Sequence, residues 1–309
     1  MYSSERLKGI DVFVCVADVG SFTAAAERLN LTSSAVSKGI ARLESRLRVR
    51  LFNRTTRRLS LTDAGVEFYR TCAGVLANLE EAELALHAEA EEPRGKVRID
   101  LPASYGRLHA LPAILQFVED HPLLNPHISF SDRFVDLVEE GVDIVVRIGG
   151  ADTWPATLGR RFLGMQRLIF CAAPAYLRKY GEPQSDRDLE QHQCISYGAT
   201  DGLLRPWYFA GAQPGEMEQR VLPARIAVGD GEGQVMAVLA GHGVAQLPTW
   251  LVRHHLEQGA LVEVLPQLAT DGLPLNLVWL KSREKLPKVS AMLEMLSACL
   301  TPAGRSDAI

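Results

Sequence analysis

The stretch GSFTAAAERLNLTSSAVSKGIARLE, residues 20–44, predicts two short helices joined by a tight turn. At about 100° per residue, the apolar side chains of the second helix fall in one narrow stripe: Val36, Ile40, Leu43 and Leu47. The opposite side carries small side chains and one cation: Ser34, Ser37, Lys38, Ala41 and Ser45. Such a slim polar face suits a helix that lies in the major groove of DNA. The alternative is an ordinary amphipathic surface helix whose polar face is solvated.

The residues before and within this stretch predict a small three-helix core. Apolar side chains of a first helix recur at helical spacing, at Leu7, Ile10, Phe13, Val14 and Ala17. Ser21 is a candidate N-cap of the second helix, and Thr32 or Ser33 of the third. Asn30 tolerates the left-handed conformation that a turn between helices requires. Helix starts of this kind are also candidate phosphate contacts.

A basic, hydroxyl-rich segment follows, RLFNRTTRRLSLT at residues 50–62. Its apolar ends predict two short strands, so we expect a hairpin with a cationic tip that contacts phosphates or the narrow groove. A solvated turn is the alternative. We predict base contacts from Ser33, Ser34, Ser37 and Lys38. The candidates for backbone or minor-groove contacts are Ser21, Thr32, Arg42, Arg54, Thr55, Thr56 and Arg57.

Charge is segregated along the chain. Residues 1–65 contain 11 Lys and Arg against 6 Asp and Glu, a net charge of +5, whereas the whole chain carries −4. Residues 66–309 therefore carry −9. The acidic total alone would argue against a nucleic-acid partner. A small basic end, however, is the electrostatic footprint of a DNA-binding domain.

About the first 65 residues resemble the winged helix-turn-helix domain of LysR-type transcriptional regulators. The matching residues are Gly20-Ser21-Phe22, Ala24-Ala25, Leu29, Ser34-Ala35-Val36-Ser37, Ile40, Leu43-Glu44, Leu51-Phe52, Arg54 and Leu61-Thr62-Asp63-Ala64-Gly65. Two positions depart from the commonest form. Gly39 stands where a polar residue is frequent, and glycine inside a helix costs about 1 kcal/mol relative to alanine. Arg48 stands where a helix-ending glycine is usual.

A long helix is predicted to follow the hairpin. Its residues recur at intervals of four and three, the pattern of a coiled-coil seam: Leu61, Gly65, Phe68, Cys72, Val75, Leu79, Ala82 and Leu86. A helix of about 40 Å would bury this seam against a second copy or against the chain's own larger domain. The family resemblance implies a homodimer through this helix. Residues 93–95, Pro-Arg-Gly, predict a hinge after it.

The remainder of the chain predicts an α/β domain. Strands are expected at residues 97–101, 127–130 and 143–148, separated by helical segments, an order typical of a parallel sheet. Later strands are expected near residues 168–172, 225–228, 243–247, 261–264 and 275–280, with a closing helix at 286–300. This part resembles the effector-binding region of the same family, which has two lobes like periplasmic solute-binding proteins. The resemblance implies that the opening strands, the final strand and the final helix form the first lobe.

The predicted organisation is therefore an N-terminal all-α winged helix-turn-helix joined to an α/β region. The DNA-binding domain is expected at residues 1–62, the linker and dimerisation helix at 63–92, and the two-lobed, periplasmic-binding-protein-like effector domain at 93–309.

Polar side chains follow several predicted strands of the α/β domain, where ligands of open α/β sheets bind. These candidates are Ser104, Ser131, Asp132, Arg147, Tyr197 and Asp230. Glycines around Asp230 precede a helix and would expose backbone N–H groups to a carboxylate. We therefore expect a small anionic effector between Ser104 and Arg147 on one side and the Asp230 loop on the other. Alternatively, Arg147 pairs with an acidic neighbour such as Asp143 or Asp132.

Other chemistries find little support in the sequence. It contains no Gly-Lys-Ser/Thr phosphate loop, no complete dinucleotide fingerprint and no Gly-x-Ser-x-Gly elbow. We expect neither a cofactor nor a metal. Cys171 and Cys194 are a conceivable redox pair, although two buried small side chains are the simpler interpretation.

No segment approaches the ~20 apolar residues of a membrane span, and the N-terminus lacks the apolar run of a secretory signal. We expect a cytoplasmic protein without membrane contact. The resemblance implies a ligand-responsive transcriptional regulator that reads a pseudo-palindromic operator through residues 33–45 and assembles further into a homotetramer. One alternative is an α/β enzyme with an appended DNA-binding domain, using Ser104, His109, Asp132 and Arg147. A scaffold protein without a role in gene control is the other.

Overall fold

Two units make up the chain, Met1–Ala90 and Glu91–Ile309. The computed structural model describes residues 7–54, 59–86, 92–150, 153–198, 202–211 and 216–301. None of the helices in these ranges is both long and apolar enough to cross a lipid bilayer.

The N-terminal unit consists of three short helices, a hairpin and a long helix. Its elements are α1 (Ile10–Val19), α2 (Phe22–Arg28), α3 (Ser33–Leu47), β1 (Phe52–Arg54), β2 (Leu59–Leu61) and α4 (Asp63–Leu86). Ser21 Oγ accepts a hydrogen bond from the backbone N–H of Ala24, and Thr32 Oγ1 accepts one from that of Ala35. Both N-caps are as predicted, with Thr32 rather than Ser33 capping α3. Asn30 has φ 53°, which confirms its left-handed turn.

The apolar stripe of α3 anchors that helix in the core. Val36, Ile40 and Leu43 are buried around Phe13, whereas Leu47 at the end of α3 is exposed. Burial of the stripe sets the rotation of the helix, so its polar face must point outward.

The end of α3 is tied to the hairpin. Arg48 takes the left-handed conformation with φ 55° in place of a glycine, and its backbone N–H donates to the carbonyls of Glu44 and Ser45. Glu44 Oε1 in turn accepts hydrogen bonds from the backbone N–H groups of Leu51 and Phe52, at 2.8 and 3.2 Å. These bonds fix where β1 begins.

The predicted coiled-coil seam of α4 is divided between two environments. At its start, Phe68 packs into the core, and an added Cβ on Gly65 would lie 2.1 Å from the carbonyl oxygen of Leu51. Further along, Val75 and Leu79 are 39% and 49% exposed. The start of α4 therefore packs within the N-terminal unit itself, which is neither of the two expected partners, while Val75 and Leu79 are exposed.

The C-terminal unit is a mixed α/β structure. Its helices are α5 (Ala103–Tyr105), α6 (Leu111–Asp120), α7 (Pro174–Tyr180), α8 (Gly231–Leu239), α9 (Thr249–Glu257) and α10 (Pro287–Leu300). Its strands are β3 (Gly95–Leu101), β4 (Leu124–Phe130), β5 (Ile144–Ile148), β6 (Leu158–Ala172), β7 (Ile195–Tyr197), β8 (Trp207–Ala210), β9 (Met217–Arg220), β10 (Ile226–Val228), β11 (Val244–Pro248), β12 (Val262–Val264) and β13 (Thr270–Leu280). A π-helical turn, Gly106–Ala110, joins α5 to α6.

A seven-stranded sheet runs through this unit in the order β11-β6-β13-β5-β3-β4, with β12 also paired to β6. β3 is parallel to β4 and β5, as predicted from the order of elements. β13 is antiparallel to β5 and β6, and β11 and β12 are antiparallel to β6. The sheet is mixed rather than parallel throughout, because β6 and β13 carry the chain out to a second lobe and back.

The two long strands divide the unit into the predicted lobes. In the first lobe, Met292 and Leu296 of α10 pack with Ile114 of α6 and with Leu277 of β13. The final strand and helix therefore belong with the opening strands, as expected. The second lobe holds the elements between β6 and β13, including the β8–β9 hairpin and the helices α7 and α9, which the sequence pattern did not predict.

Cys171 and Cys194 lie in separate hydrophobic clusters of the second lobe. Cys171 packs with Val235 of α8, whereas Cys194 packs with Trp207 of the β8–β9 hairpin. Both thiols are free. Burial raises the pKa of Cys171 to about 12 and that of Cys194 to about 11. Burial in separate clusters favours the simpler interpretation, in which the two cysteines are buried small side chains.

We expect Gly39→Ala to stabilise the N-terminal unit by about 1 kcal/mol, because the glycine lies inside α3. An added Cβ there would meet only Val12 Cγ1, at 3.7 Å. Urea unfolding of the full chain measures the change in the free energy of unfolding. Amide hydrogen exchange in α3 shows whether the change lies in the N-terminal unit.

Gly65→Ala is the matched control, since its Cβ would collide with the carbonyl oxygen of Leu51. Overpacking of this kind costs about 1–3 kcal/mol. A loss of stability in Gly39→Ala as large as that in Gly65→Ala would contradict the geometry of α3.

Candidate nucleic-acid interface and ligand cleft

The face of α3 opposite the core is exposed and carries no large apolar side chain. Its exposed members are Ser33, Ser34, Lys38, Ala41, Arg42 and Ser45, and Ser37 beside them is half-buried. Four of them line a shallow depression: Lys38, Ala41, Arg42 and Ser45. Arg42 Nε donates to the carbonyl oxygen of Lys38 at 3.3 Å, so the Arg42 side chain lies back along this face. The face combines hydroxyls, two cations and room for close approach.

The two strands of the predicted hairpin follow α3 in the sequence. β1 and β2 are antiparallel, with Phe52 opposite Leu61 and Arg54 opposite Leu59. Four of the predicted contacts, Thr55, Thr56, Arg57 and the side chain of Arg54, lie outside the described residues. The hydroxyls of Ser21 and Thr32 are engaged as helix caps.

Arg147, predicted to contact an effector, lies in a buried ion pair. Its side chain is buried, and Nη2 donates to Asp100 Oδ1 at 2.6 Å while Nη1 donates to the carbonyl oxygen of Ser131 at 2.6 Å. The expectation of a structural ion pair is therefore correct in kind, but the partner is Asp100 on β3. Asp143 pairs instead with Arg283.

The loop after β4 is built on this buried pair. Ser129 Oγ donates to Asp100 Oδ2 at 2.7 Å and Ser131 Oγ donates to Asp100 Oδ1 at 3.3 Å. The next residue, Asp132, accepts hydrogen bonds from the backbone N–H of Ala103 through Oδ1 and from the hydroxyl of Tyr197 through Oδ2. Ser131 is thus a support of the loop, whereas Asp132 reaches the second lobe.

Ser104, Asp132, Tyr197 and Asp230 meet where the two lobes face each other. The backbone N–H of Glu232, in the first turn of α8, donates to Ser104 Oγ at 3.3 Å. Asp230 caps the same helix by accepting from the backbone N–H of Gly233 at 2.6 Å. Burial, reinforced by the negative charges of Asp132 and Asp230, raises the pKa of Tyr197 above its ordinary value. The tyrosine is therefore a neutral hydrogen-bond donor near pH 7.

Sequence reasoning missed the ion pair that also joins the lobes. Arg107 lies in the π-helical turn and donates through Nε and Nη2 to Glu232 Oε2, with the Nε contact at 3.0 Å. The turn is held by Gly106, where an added Cβ would lie 2.5 Å from Leu101 Cβ. Helical periodicity carries no signal for a π-turn, so no pattern in the sequence identified Arg107.

An aromatic cluster forms one wall beside these residues. Tyr105 and His109 of the first lobe contact Trp250 of α9, with ring centroids 5.0 and 5.4 Å from the Trp250 ring. Burial raises the pKa of Tyr105 to about 12. The enzyme alternative placed Ser104, His109, Asp132 and Arg147 in an active cleft, but Arg147 is buried with Asp100. Ser104 and Asp132 instead bind backbone N–H groups, and Asp132 also binds Tyr197.

Two family models together match most of the chain. Residues 7–66 match the model described as the bacterial regulatory helix-turn-helix protein of the lysR family, and residues 90–300 match the LysR substrate binding domain.

Similar proteins extend over the same length. The HTH-type transcriptional activator AaeR of Escherichia coli is 30% identical over 304 residues, 97% of this chain and 96% of the relative. The HTH-type transcriptional regulator CrgA of Neisseria meningitidis is 34% identical over 289 residues, 93% of this chain and 94% of the relative.

Solved structures of full-length proteins have the same fold. The structure of CrgA from N. meningitidis is similar with a TM-score of 0.60 and 30% identity, covering 97% of this chain and 99% of that one. The Vibrio cholerae virulence activator AphB is similar with a TM-score of 0.62 and 25% identity, covering 96% and 99%.

We expect Arg147→Ala to lower the free energy of unfolding of the C-terminal unit by about 3–5 kcal/mol, because it leaves the Asp100 carboxylate buried without its partner. The midpoint of urea unfolding of the full chain measures the loss.

Arg133→Ala is the control, since it breaks an exposed arginine–glutamate pair with Glu140 in the same lobe. Exposed pairs add little to stability, so this variant should unfold close to wild type. Equal midpoints for the two variants would show that Arg147 is not a structural residue.

Proposed function

The chain belongs to the LysR family of bacterial transcriptional regulators, and we propose that it reads a pseudo-palindromic operator through α3. Proteins of this family bind DNA and small-molecule effectors, are oligomeric, and are regulators rather than enzymes. The observation that carries the proposal is the exposed, slim polar face of α3, which lies opposite its buried apolar stripe.

In this proposal, base edges are contacted by Ser33, Ser34, Ser37 and Lys38. Short hydroxyl side chains and a flexible cation fit the donor and acceptor groups of the major groove. The sugar-phosphate backbone is contacted by the helix starts at Ser21 and Thr32, by Arg42, and by the hairpin residues Arg54, Thr55, Thr56 and Arg57. The net charge of +5 over residues 1–65 supports phosphate contacts by this part of the chain.

Lys38→Ala tests the recognition helix. If Lys38 contacts a base, binding to the cognate operator weakens by about 1–3 kcal/mol, whereas binding to random DNA changes little. Gel-shift titrations on the promoter of the divergently transcribed neighbouring gene, and on shuffled DNA of equal length, measure both.

Lys179→Ala removes an equal charge from α7 in the other unit and serves as the control. Equal losses on both DNAs for Lys38→Ala would assign Lys38 to a phosphate. A Lys38→Ala variant that binds like Lys179→Ala would remove α3 from the proposed interface.

For the effector, we propose a small anionic molecule in the cleft between the lobes. Ser104, Asp132, Tyr197 and Asp230 face one another there, which supports a ligand held by residues of both lobes. In this proposal, Arg147 and Ser131 do not contact the ligand but position the loop that carries Asp132. Lobe movement on binding would shift the population of assemblies on DNA, and with it the bend between two sites.

For assembly, we propose a homodimer through α4, with pairs of dimers forming a tetramer in the cytoplasm, where bacterial DNA lies. The proposal assigns DNA binding to residues 1–62, dimerisation to 63–92 and effector binding to 93–309. It is supported by Val75 and Leu79, which continue the seam of α4 but are exposed in the single chain. A second copy of α4 would cover them.

Leu79→Asp tests the dimer, because a carboxylate on the seam would be buried without a partner. We expect the sedimenting species to lose mass in analytical ultracentrifugation. Val66→Asp is the control, since Val66 is also exposed on α4 but lies about 180° around the helix from Val75. Unchanged mass for Leu79→Asp, or equal loss in both variants, would contradict a dimer along this seam.

A further inference from the structure

Two side-chain pairs bridge the lobes of the C-terminal unit. The hydroxyl of Tyr197 donates to Asp132 Oδ2 at 2.8 Å, and Arg107 donates to Glu232. The two pairs differ in kind. Tyr197 is a neutral donor, whereas Arg107 and Glu232 form an ion pair whose side chains are each 41% exposed.

Arg107 and Arg147 of the first lobe differ in their exposure to solvent. Arg147 is only 3% exposed and its charge is neutralised by Asp100 within the same lobe. Arg107 is accessible to solvent, and its carboxylate partner comes from the opposite lobe. A ligand that enters the cleft can therefore compete for Arg107 but not for Arg147.

The surroundings of Arg107 hold its guanidinium in position. The π-helical turn projects it from the wall of the first lobe, where the guanidinium carbon lies 5.9 Å from the centre of the Phe130 ring. The neighbouring Ser104 Oγ accepts from the backbone N–H of Glu232. Glu232 of α8 thus binds two polar groups of the first lobe, Arg107 through its carboxylate and Ser104 through its backbone N–H.

We propose that Arg107 is the residue that binds a carboxylate group of the effector, and that Glu232 is an internal competitor which holds the cleft shut in the free protein. The proposal rests on the effector cleft proposed above. Arg107 donates to Glu232 Oε2 through both Nε and Nη2, and the same two donors can bind the carboxylate of a ligand. Exchange of one carboxylate for the other breaks the ion pair between α8 and the first lobe and leaves only the backbone bond of Glu232 to Ser104.

The ion pair between Arg107 and Glu232 is weak enough for a ligand to break. Exposed ion pairs change an equilibrium by no more than about fivefold. A ligand with modest preference for Arg107 therefore displaces Glu232, because the ligand has to overcome only this small bias between the closed and open states.

The first arm of the test needs no ligand. Amide hydrogen exchange of the full chain is compared for wild type, Glu232→Gln and Glu140→Gln. Loss of the Glu232 charge should speed exchange several-fold in residues 103–110 and 229–236. Glu140→Gln breaks the Arg133–Glu140 pair, which lies within one lobe, and should leave both segments as in wild type. Equal exchange in Glu232→Gln and wild type would overturn the internal competitor.

The second arm uses sodium acetate, succinate and benzoate against sodium chloride at equal ionic strength. Calorimetry should show at least one carboxylate binding up to about fivefold more tightly to Glu232→Gln than to wild type, and none binding to Arg107→Gln. Binding to Arg107→Gln with wild-type affinity would overturn Arg107 but keep the cleft. Binding that protects segments outside the cleft would instead overturn the proposed effector site. No binding to any variant would overturn the carboxylate class.

Discussion

The pairing of β6 with β13 is the constraint on which the C-terminal unit depends. β13 is hydrogen-bonded to β6 over most of its length, from Thr270 opposite Leu168 to Leu280 opposite Leu158. The two lobes are extensions of this one ladder, so the sheet of the first lobe and that of the second share their central strands. Bonds between the lobes, such as that of Tyr197 with Asp132, can open only as far as the shared strands twist or bend.

Within the first lobe, a buried charge pair organises the polar groups. Asp100 accepts from Arg147, Ser129 and Ser131. Because an isolated buried charge is costly, each of these groups is fixed by the need to satisfy the others. The loop that follows is thereby fixed as well, and it presents the Asp132 carboxylate outward. The position of the Asp132 carboxylate is thus set by a network of side chains around the buried Asp100.

The sequence pattern predicted the elements better than the partners of their side chains. The stripe of Val36, Ile40 and Leu43 identified the buried side of α3, since helical periodicity alone determines which residues share a face. Arg147 was correctly suspected of pairing, but its partner lies 47 positions earlier on another strand, a relation that exists only after the sheet forms. Arg107 was missed because local periodicity does not encode a π-helical turn.

Gly65 has a mechanical consequence for the N-terminal unit. With no side chain at this position, the first turn of α4 rests directly on the backbone of Leu51, where the hairpin begins. Close-packed backbone is almost incompressible. A rotation of α4 would therefore also displace Leu51 and the start of the β1–β2 hairpin.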